Sequence, residues 1–117
     1  MLEALFEICG GLYTGCAVTG HAEYSEDDPS GMILCASVSS AMQLTCNTLT
    51  ECFDAEVRIT QAPTEDALNQ LAFVLEKPDA VQSQILRGLL IHFQALSEDY
   101  DGMLRVSERK ADRQQHS

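Results

Sequence analysis

The chain has no tryptophan, three prolines and little basic charge: seven Lys and Arg stand against 18 Asp and Glu in 117 residues, a net charge of −11. Arg109, Lys110 and Arg113 lie in the last eleven residues, which leaves four bases and sixteen acids in residues 1–106. An acidic body of this kind lacks the basic face that phosphate backbones require, so direct nucleic-acid binding is not expected. It suits a basic peptide partner, although acidity by itself serves solubility. No stretch reaches the roughly 18 consecutive apolar residues of a membrane span, and no basic region followed by an apolar run opens the chain. Neither a membrane association nor a signal peptide is therefore expected. The five cysteines, Cys9, Cys16, Cys35, Cys46 and Cys52, cannot all pair internally, and none falls in a C-x-x-C spacing. Free thiols in a reducing cytoplasm fit this pattern.

What is present fits one α+β domain over residues 1–106, with a polar, disordered tail over 107–117. Residues 2–8 and 12–19 read as strands around the Cys9-Gly10-Gly11 turn signal, with Gly15 marking a bulge. Residues 20–31 form a polar loop with glycine at both ends. A long helix follows over about 32–53, with Ser30 as its expected N-cap. Cys35, Ser39, Met42, Cys46, Leu49 and Phe53 recur at helical spacing, and Leu34, Val38, Ala41 and Thr45 broaden that stripe. Residues 55–62 and 68–76 read as strands. Residues 80–100 read as a second amphipathic helix that buries Ile85, Leu89, Leu90, Phe93 and Leu96. Residues 103–106 supply a short last strand. The order β-β-α-β-β-α-β predicts a two-layer sandwich, a mainly antiparallel sheet with two helices on one face. An edge strand or apolar helix face left open would favour a dimer.

Two residues carry chemistry. A thiol with its ordinary pKa near 8.5 is only a few per cent ionised at neutral pH. A helix start and a nearby imidazolium both favour the thiolate. Cys35 sits in about the first turn of the long helix, where free backbone N–H groups would also receive an oxyanion. His21, in the loop that feeds this helix, would hold the ion pair and then protonate a leaving amine. Gly20 frees the backbone beside His21, and Gly31 permits a tight entry into the helix. Ser39, one turn beyond Cys35, would support the imidazole or the substrate, or else bond back to its own helix. Taken singly these signals are weak, because a cysteine near a helix start is more often a small buried apolar residue.

The segment Gly20-His21-Ala22-Glu23-Tyr24, a polar loop, and then Gly31-Met32-Ile33-Leu34-Cys35-Ala36-Ser37-Val38-Ser39 resembles the signature of the bacterial ribosomal-processing cysteine proteases, the Prp family. Asn47 falls at the family's helical Asn, and the likeness covers roughly residues 1–106. The resemblance implies a small cytoplasmic α+β homodimer without a cofactor, with His21 and Cys35 as the catalytic pair. It further implies that the protein removes a short N-terminal extension from a large-subunit ribosomal protein during ribosome assembly. The loop of residues 22–31 would then move over the substrate. Its acids Glu23, Glu26, Asp27 and Asp28, with Tyr24, would meet a basic peptide. One departure is Met32, which stands where the family has Asp three residues before the Cys; Ser30, Asp27 or Asp28 would have to replace it.

Two rival readings remain. Met32 favours an inactive binding or assembly protein of the same fold. A metal site built from His21, Cys35 and His92 lacks a close ligand pair and a fourth ligand, so no metal is expected. Cys46 and Cys52 read as packing residues of the first helix, and Cys9 and Cys16 belong to the hairpin.

Overall fold

The computed structural model describes residues 1–20, 25–62 and 70–111. Strands β1 (Leu2–Cys9) and β2 (Leu12–Thr19) form a hairpin, followed by helix α1 (Ser30–Asn47) with a π-helical end (Thr48–Cys52). Strands β3 (Val57–Ala62) and β4 (Gln70–Leu75), helix α2 (Ala80–Asp99) and strand β5 (Leu104–Lys110) complete the order. The expected succession of elements holds. The five strands lie in the order β3-β4-β2-β1-β5. All neighbours are antiparallel except β1 and β5, which run parallel.

Alternation along the strands decides which face is covered. Leu2, Ala4 and Phe6 of β1, Cys16 and Val18 of β2, Phe73 and Leu75 of β4 and Leu104 of β5 are buried. Their neighbours Glu3, Arg105 and Arg58 face the other way and are exposed. Both helices share one core with that buried face, through Leu34, Val38, Met42 and Leu49 on one side and Leu86, Leu89, Leu90 and Phe93 on the other. Burying side chains of this size contributes about 1.5–3 kcal/mol each relative to exposure. Phe6 and Phe93 meet edge to face at 6.0 Å in the middle of this core.

The hairpin carries an irregularity between Glu7 and Ile8, where Glu7 pairs with Gly15 but Ile8 pairs with Tyr13. Gly15 is needed there because a Cβ on it would lie 2.8 Å from the Phe73 carbonyl oxygen of β4. Helix α1 ends without glycine. Asp54 takes a left-handed turn at φ 54°, and the Ala55 N–H returns to the Leu49 carbonyl at 2.9 Å. Helix α2 starts on Asp79, whose side chain accepts the Gln82 N–H at 2.8 Å.

Four expectations change. The buried stripe of α1 is Gly31, Leu34, Val38, Met42 and Thr45, continued by Leu49. Cys35 and Cys46 are at its margin, while Ser39 and Phe53 are exposed. Residues 107–110 are strand, not tail, because the charges of β5 find partners on the hairpin. Arg105 pairs with Glu3 and Arg109 with Glu7, and the Tyr13 hydroxyl donates to Glu108 at 2.9 Å. Residues 112–117 lie outside the described residues. The helical segment Ser30–Cys52 is long and apolar enough by composition to cross a membrane, contrary to the sequence reading, but its Leu34–Leu49 stripe is committed to the sheet. The N-cap of α1 is Pro29 rather than Ser30, and it makes no side-chain cap bond.

Candidate active site

The site forms where β2 ends, β1 and β4 begin, and α1 passes over them. Gly20 follows β2 at φ 86°, so close to the start of β1 that a Cβ on it would lie 2.4 Å from the Met1 carbonyl oxygen. Only glycine satisfies both the left-handed backbone and this approach. Gly20 lines a cavity of about 100 Å³ together with Leu2, Val18, Leu71 and, from α1, Cys35, Val38, Ser39 and Met42. Among the described residues no charged side chain lines it. Cys35 is half-buried in the cavity wall. Gly20, the residue that precedes His21 in the chain, therefore lines the same cavity as Cys35. His21, Ala22, Glu23 and Tyr24 themselves lie outside the described residues.

Cys35 is the sixth residue of α1, two residues further in than the sequence reading placed it. Its own N–H lies within the helix, and its side chain leans back toward the helix start, as Cβ atoms in helices do. The donors at that start are largely taken. The Ser30 N–H donates to Asp28 Oδ1 at 3.1 Å, and the Met32 and Ile33 N–H groups donate to the Pro29 carbonyl at 3.0 and 3.1 Å. Among the described residues only the Gly31 N–H of the first turn lacks an acceptor, so a full set of free donors for an oxyanion is not present. Gly31 itself is buried within the helix rather than forming a turn before it. Ser39 lines the cavity, and it does not bond back to its own helix as Thr45, Thr48 and Thr50 do.

The acidic loop closes on itself beside the helix. The Ser25 N–H donates to the Asp28 carbonyl at 3.1 Å, and the Asp28 N–H donates to the Ser25 carbonyl at 3.2 Å. Glu26, Asp27 and Asp28 are exposed. Hydrogen bonding from the Ser30 side chain, and then from its N–H, holds the Asp28 carboxyl below the usual carboxylate range. Asp28 thus ties the loop to the helix start from outside the helix, and of Ser30, Asp27 and Asp28, the three residues expected to replace the acid at Met32, it is the one that bonds there. Met32 is 51% exposed and contributes nothing to this cap. Because the Asp28 pKa is lower in the folded chain, its contribution is present at pH values above the ordinary carboxylate pKa and is lost as pH falls through the folded value. Asp28→Ala is expected to be slightly less stable than the parent in urea at pH 7. That difference should shrink as the pH is taken below the ordinary carboxylate range.

The other thiols are separated from Cys35 by their surroundings. Burial pushes the Cys16 thiol far up, with the nearby Cys46 adding to it, and burial raises Cys46 as well. Both stay protonated and inert at neutral pH. Cys9 is half-buried and Cys52 is exposed. His92 lines a different cavity, between α1 and α2, so Cys35 and His92 of the considered metal set lie in two separate cavities. Among the described residues no three His, Cys, Asp or Glu side chains converge.

Residues 1–105 match the family model described as cysteine protease Prp. No curated protein sequence matches the chain. Among solved structures, SMU.848 from Streptococcus mutans superposes with a TM-score of 0.80 at 20% identity, over 95% of this chain and 96% of that one. The essential ribosomal processing protease Prp from S. aureus, in complex with a substrate peptide, superposes with a TM-score of 0.73 at 17% identity, over 93% of this chain and 100% of that one. The same S. aureus protease with a covalently linked product peptide gives a TM-score of 0.66 at 19% identity, over 93% and 100%. At these identities the structural likeness establishes the fold.

Proposed function

The chain belongs to the Prp family and is a cysteine protease, and on that premise we propose that Cys35 and His21 are its catalytic pair, acting on the basic N-terminal extension of a large-subunit ribosomal protein. The observation that carries this reading is the shared cavity: the thiol of Cys35 lies in its wall, and the backbone leaves the same wall at Gly20 toward His21. The similar S. aureus structures, of a ribosomal processing protease, support the substrate class. The acidity of the body supports a basic peptide, since four of the seven bases are already paired with acids, in Arg58–Glu76, Lys77–Glu56, Arg105–Glu3 and Arg109–Glu7.

In this reading the exposed acids Glu26, Asp27 and Asp28, with Glu23 and Tyr24, attract and cover the peptide. The Cys35 thiolate attacks the scissile carbonyl carbon and forms a thioester as the C–N bond breaks. His21 gives its proton to the departing amine. Water, losing a proton to His21, then clears the acyl-enzyme and restores the thiol. Ser39 and Gly20 support the pair, and the reaction uses no cofactor. The protein works in the cytoplasm as a homodimer, a form supported by the uncovered apolar face of α1 and α2.

The test is incubation of the full chain with the unprocessed ribosomal protein of the same source, followed by mass spectrometry of the new N-terminus. One cut that frees the extension is the expected result. An intact extension after many hours, with the protein folded, would move the reading to the inactive assembly protein that Met32 favours.

A further inference from the structure

The cavity beside Cys35 has a fixed inner end and an open mouth. Strands form its floor: Leu2 comes from β1, and Val18 of β2 and Leu71 of β4 are direct cross-strand partners. Helix α1 forms its roof, where Val38 and Met42 fall one turn apart on the face that also carries Cys35 and Ser39. Met42 is fully buried, and Leu2, Val18 and Val38 are nearly so. These walls belong to the core and have little room to yield. Cys35 is half-buried and Ser39 is exposed, so the cavity opens to solvent beside the thiol. Among the described residues its lining holds no ionisable group other than that thiol.

The chemistry of the thiol decides which part of a peptide lies here. Attack joins Sγ to the scissile carbonyl carbon, which places the Cβ of the residue supplying that carbonyl within roughly 4–5 Å of the sulfur. That residue stays on Sγ through the thioester stage, whereas the amine side departs at the first step. A cavity in the wall that holds Sγ therefore serves the acyl side through both steps.

Size and polarity decide which side chain fits. The cavity measures about 100 Å³. An apolar cavity that takes up a benzene ring is larger, about 150 Å³, so the same density allows roughly four carbon atoms here. Leucine, isoleucine and valine fall within that limit, and a phenyl ring exceeds it. A lysine or glutamate side chain would lose its water and meet no opposite charge among the described lining residues.

We propose that this cavity receives the side chain of the residue whose carbonyl is attacked, and that it selects a branched aliphatic side chain over aromatic and charged ones. The proposal rests on the assignment of Cys35 as nucleophile and adds what the site recognises. The substrate is then read in two places, as an aliphatic residue at the cut and as basic charge beside the exposed Glu26, Asp27 and Asp28.

The experiment is alkylation of the full chain by N-acetylated amino-acid chloromethyl ketones bearing Ala, Val, Leu, Phe, Lys or Glu side chains, read at each thiol by peptide mass spectrometry. Each reagent brings its residue to Sγ as a scissile carbonyl would, and the exposed Cys52 in the same sample corrects for intrinsic reactivity. The Cys35-to-Cys52 ratio is expected to be highest for Leu and Val, about tenfold or more lower for Ala and Phe, and roughly a hundredfold lower for Lys and Glu. Leu71→Ala widens the floor and should raise Phe to the level of Leu. Val18→Ile narrows it and should favour Ala over Leu, which tests the same wall if Leu71→Ala does not fold. Equal ratios for all side chains, or a preference for Phe, Lys or Glu, would overturn the proposed selection and leave Cys35 as nucleophile. An order that both folded variants leave unchanged would overturn the cavity as its source. A folded parent whose Cys35 reacts with none of the reagents would overturn the catalytic reading, and the proposal with it.

Discussion

Cys35→Ala is expected to reduce peptide cleavage by roughly 10³-fold or more, to the uncatalysed background, while the chain remains folded. Among the described residues the nucleophile has no substitute in its cavity. The other lining residues of Leu2, Val18, Val38, Met42 and Leu71 are apolar, and the Ser39 hydroxyl is one turn further along α1. The structural cost is small, since a half-buried thiol at the edge of the α1 stripe gives way to a methyl group, a change of about 1 kcal/mol or less. The same variant identifies the thiol. Iodoacetamide at pH 6 should label the parent at Cys35 ahead of Cys9 and the exposed Cys52, and should leave the buried Cys16 and the half-buried, proton-retaining Cys46 untouched. His21→Ala should remove that early labelling without unfolding the chain. Cleavage that survives in Cys35→Ala would refute the assignment, and early labelling that survives in His21→Ala would refute the pairing.

The sequence carried the order of the elements because glycine and proline signals and hydrophobic spacing are local. Gly10-Gly11 closes the first hairpin, and Pro29 opens α1. What it did not carry depends on distant partners. The segment Leu104–Lys110 is polar in five of its seven positions, and its last four read as the beginning of a tail. It is a strand because β1, some 100 residues earlier, supplies Glu3 and Glu7 opposite Arg105 and Arg109. The rotation of the α1 stripe has a similar origin. Cys, Ser and Thr are small enough to suit either face, so spacing alone counted Cys35, Ser39 and Cys46 toward the core. The sheet chose the bulkier Leu34, Val38, Met42 and Leu49 instead. The π-helical end then turned Phe53 outward, an effect no 3.6-residue pattern contains. Of the candidate site, the cysteine and the two glycines were legible as residue types. The shared cavity was not, because it depends on Leu2 and Leu71 from two other strands. Asp28 was legible as one of three residues able to replace the acid at Met32, but its choice over Ser30 and Asp27 was not, because that depends on how the loop folds back on the helix start.

Gly20→Ala should damage both stability and activity, more than any other glycine exchange near the surface. The added Cβ would lie 2.4 Å from the Met1 carbonyl oxygen and 3.4 Å from its carbon, and the backbone at φ 86° is one that L residues avoid. The neighbour cannot yield cheaply, since Leu2 is buried and its N–H is held by the Met103 carbonyl at 3.0 Å. The left-handed backbone costs about 1–2 kcal/mol, and forcing apart a packed contact costs about 1–3 kcal/mol. Together these predict a loss on the order of 2–5 kcal/mol in urea unfolding. Gly102 provides the control: it has φ 82° but open space around a Cβ, so Gly102→Ala pays only the backbone term and should keep full cleavage. In Gly20→Ala the chain must shift at the wall of the Cys35 cavity, immediately before His21. Cleavage measured at a temperature where the variant is still folded should fall tenfold or more, since small displacements of a catalytic group cost that much. Equal stability and equal activity in the two variants would show that the approach of Gly20 to Met1 neither strains the fold nor positions the catalytic pair. Equal activity with unequal stability would keep the contact and remove its role in catalysis.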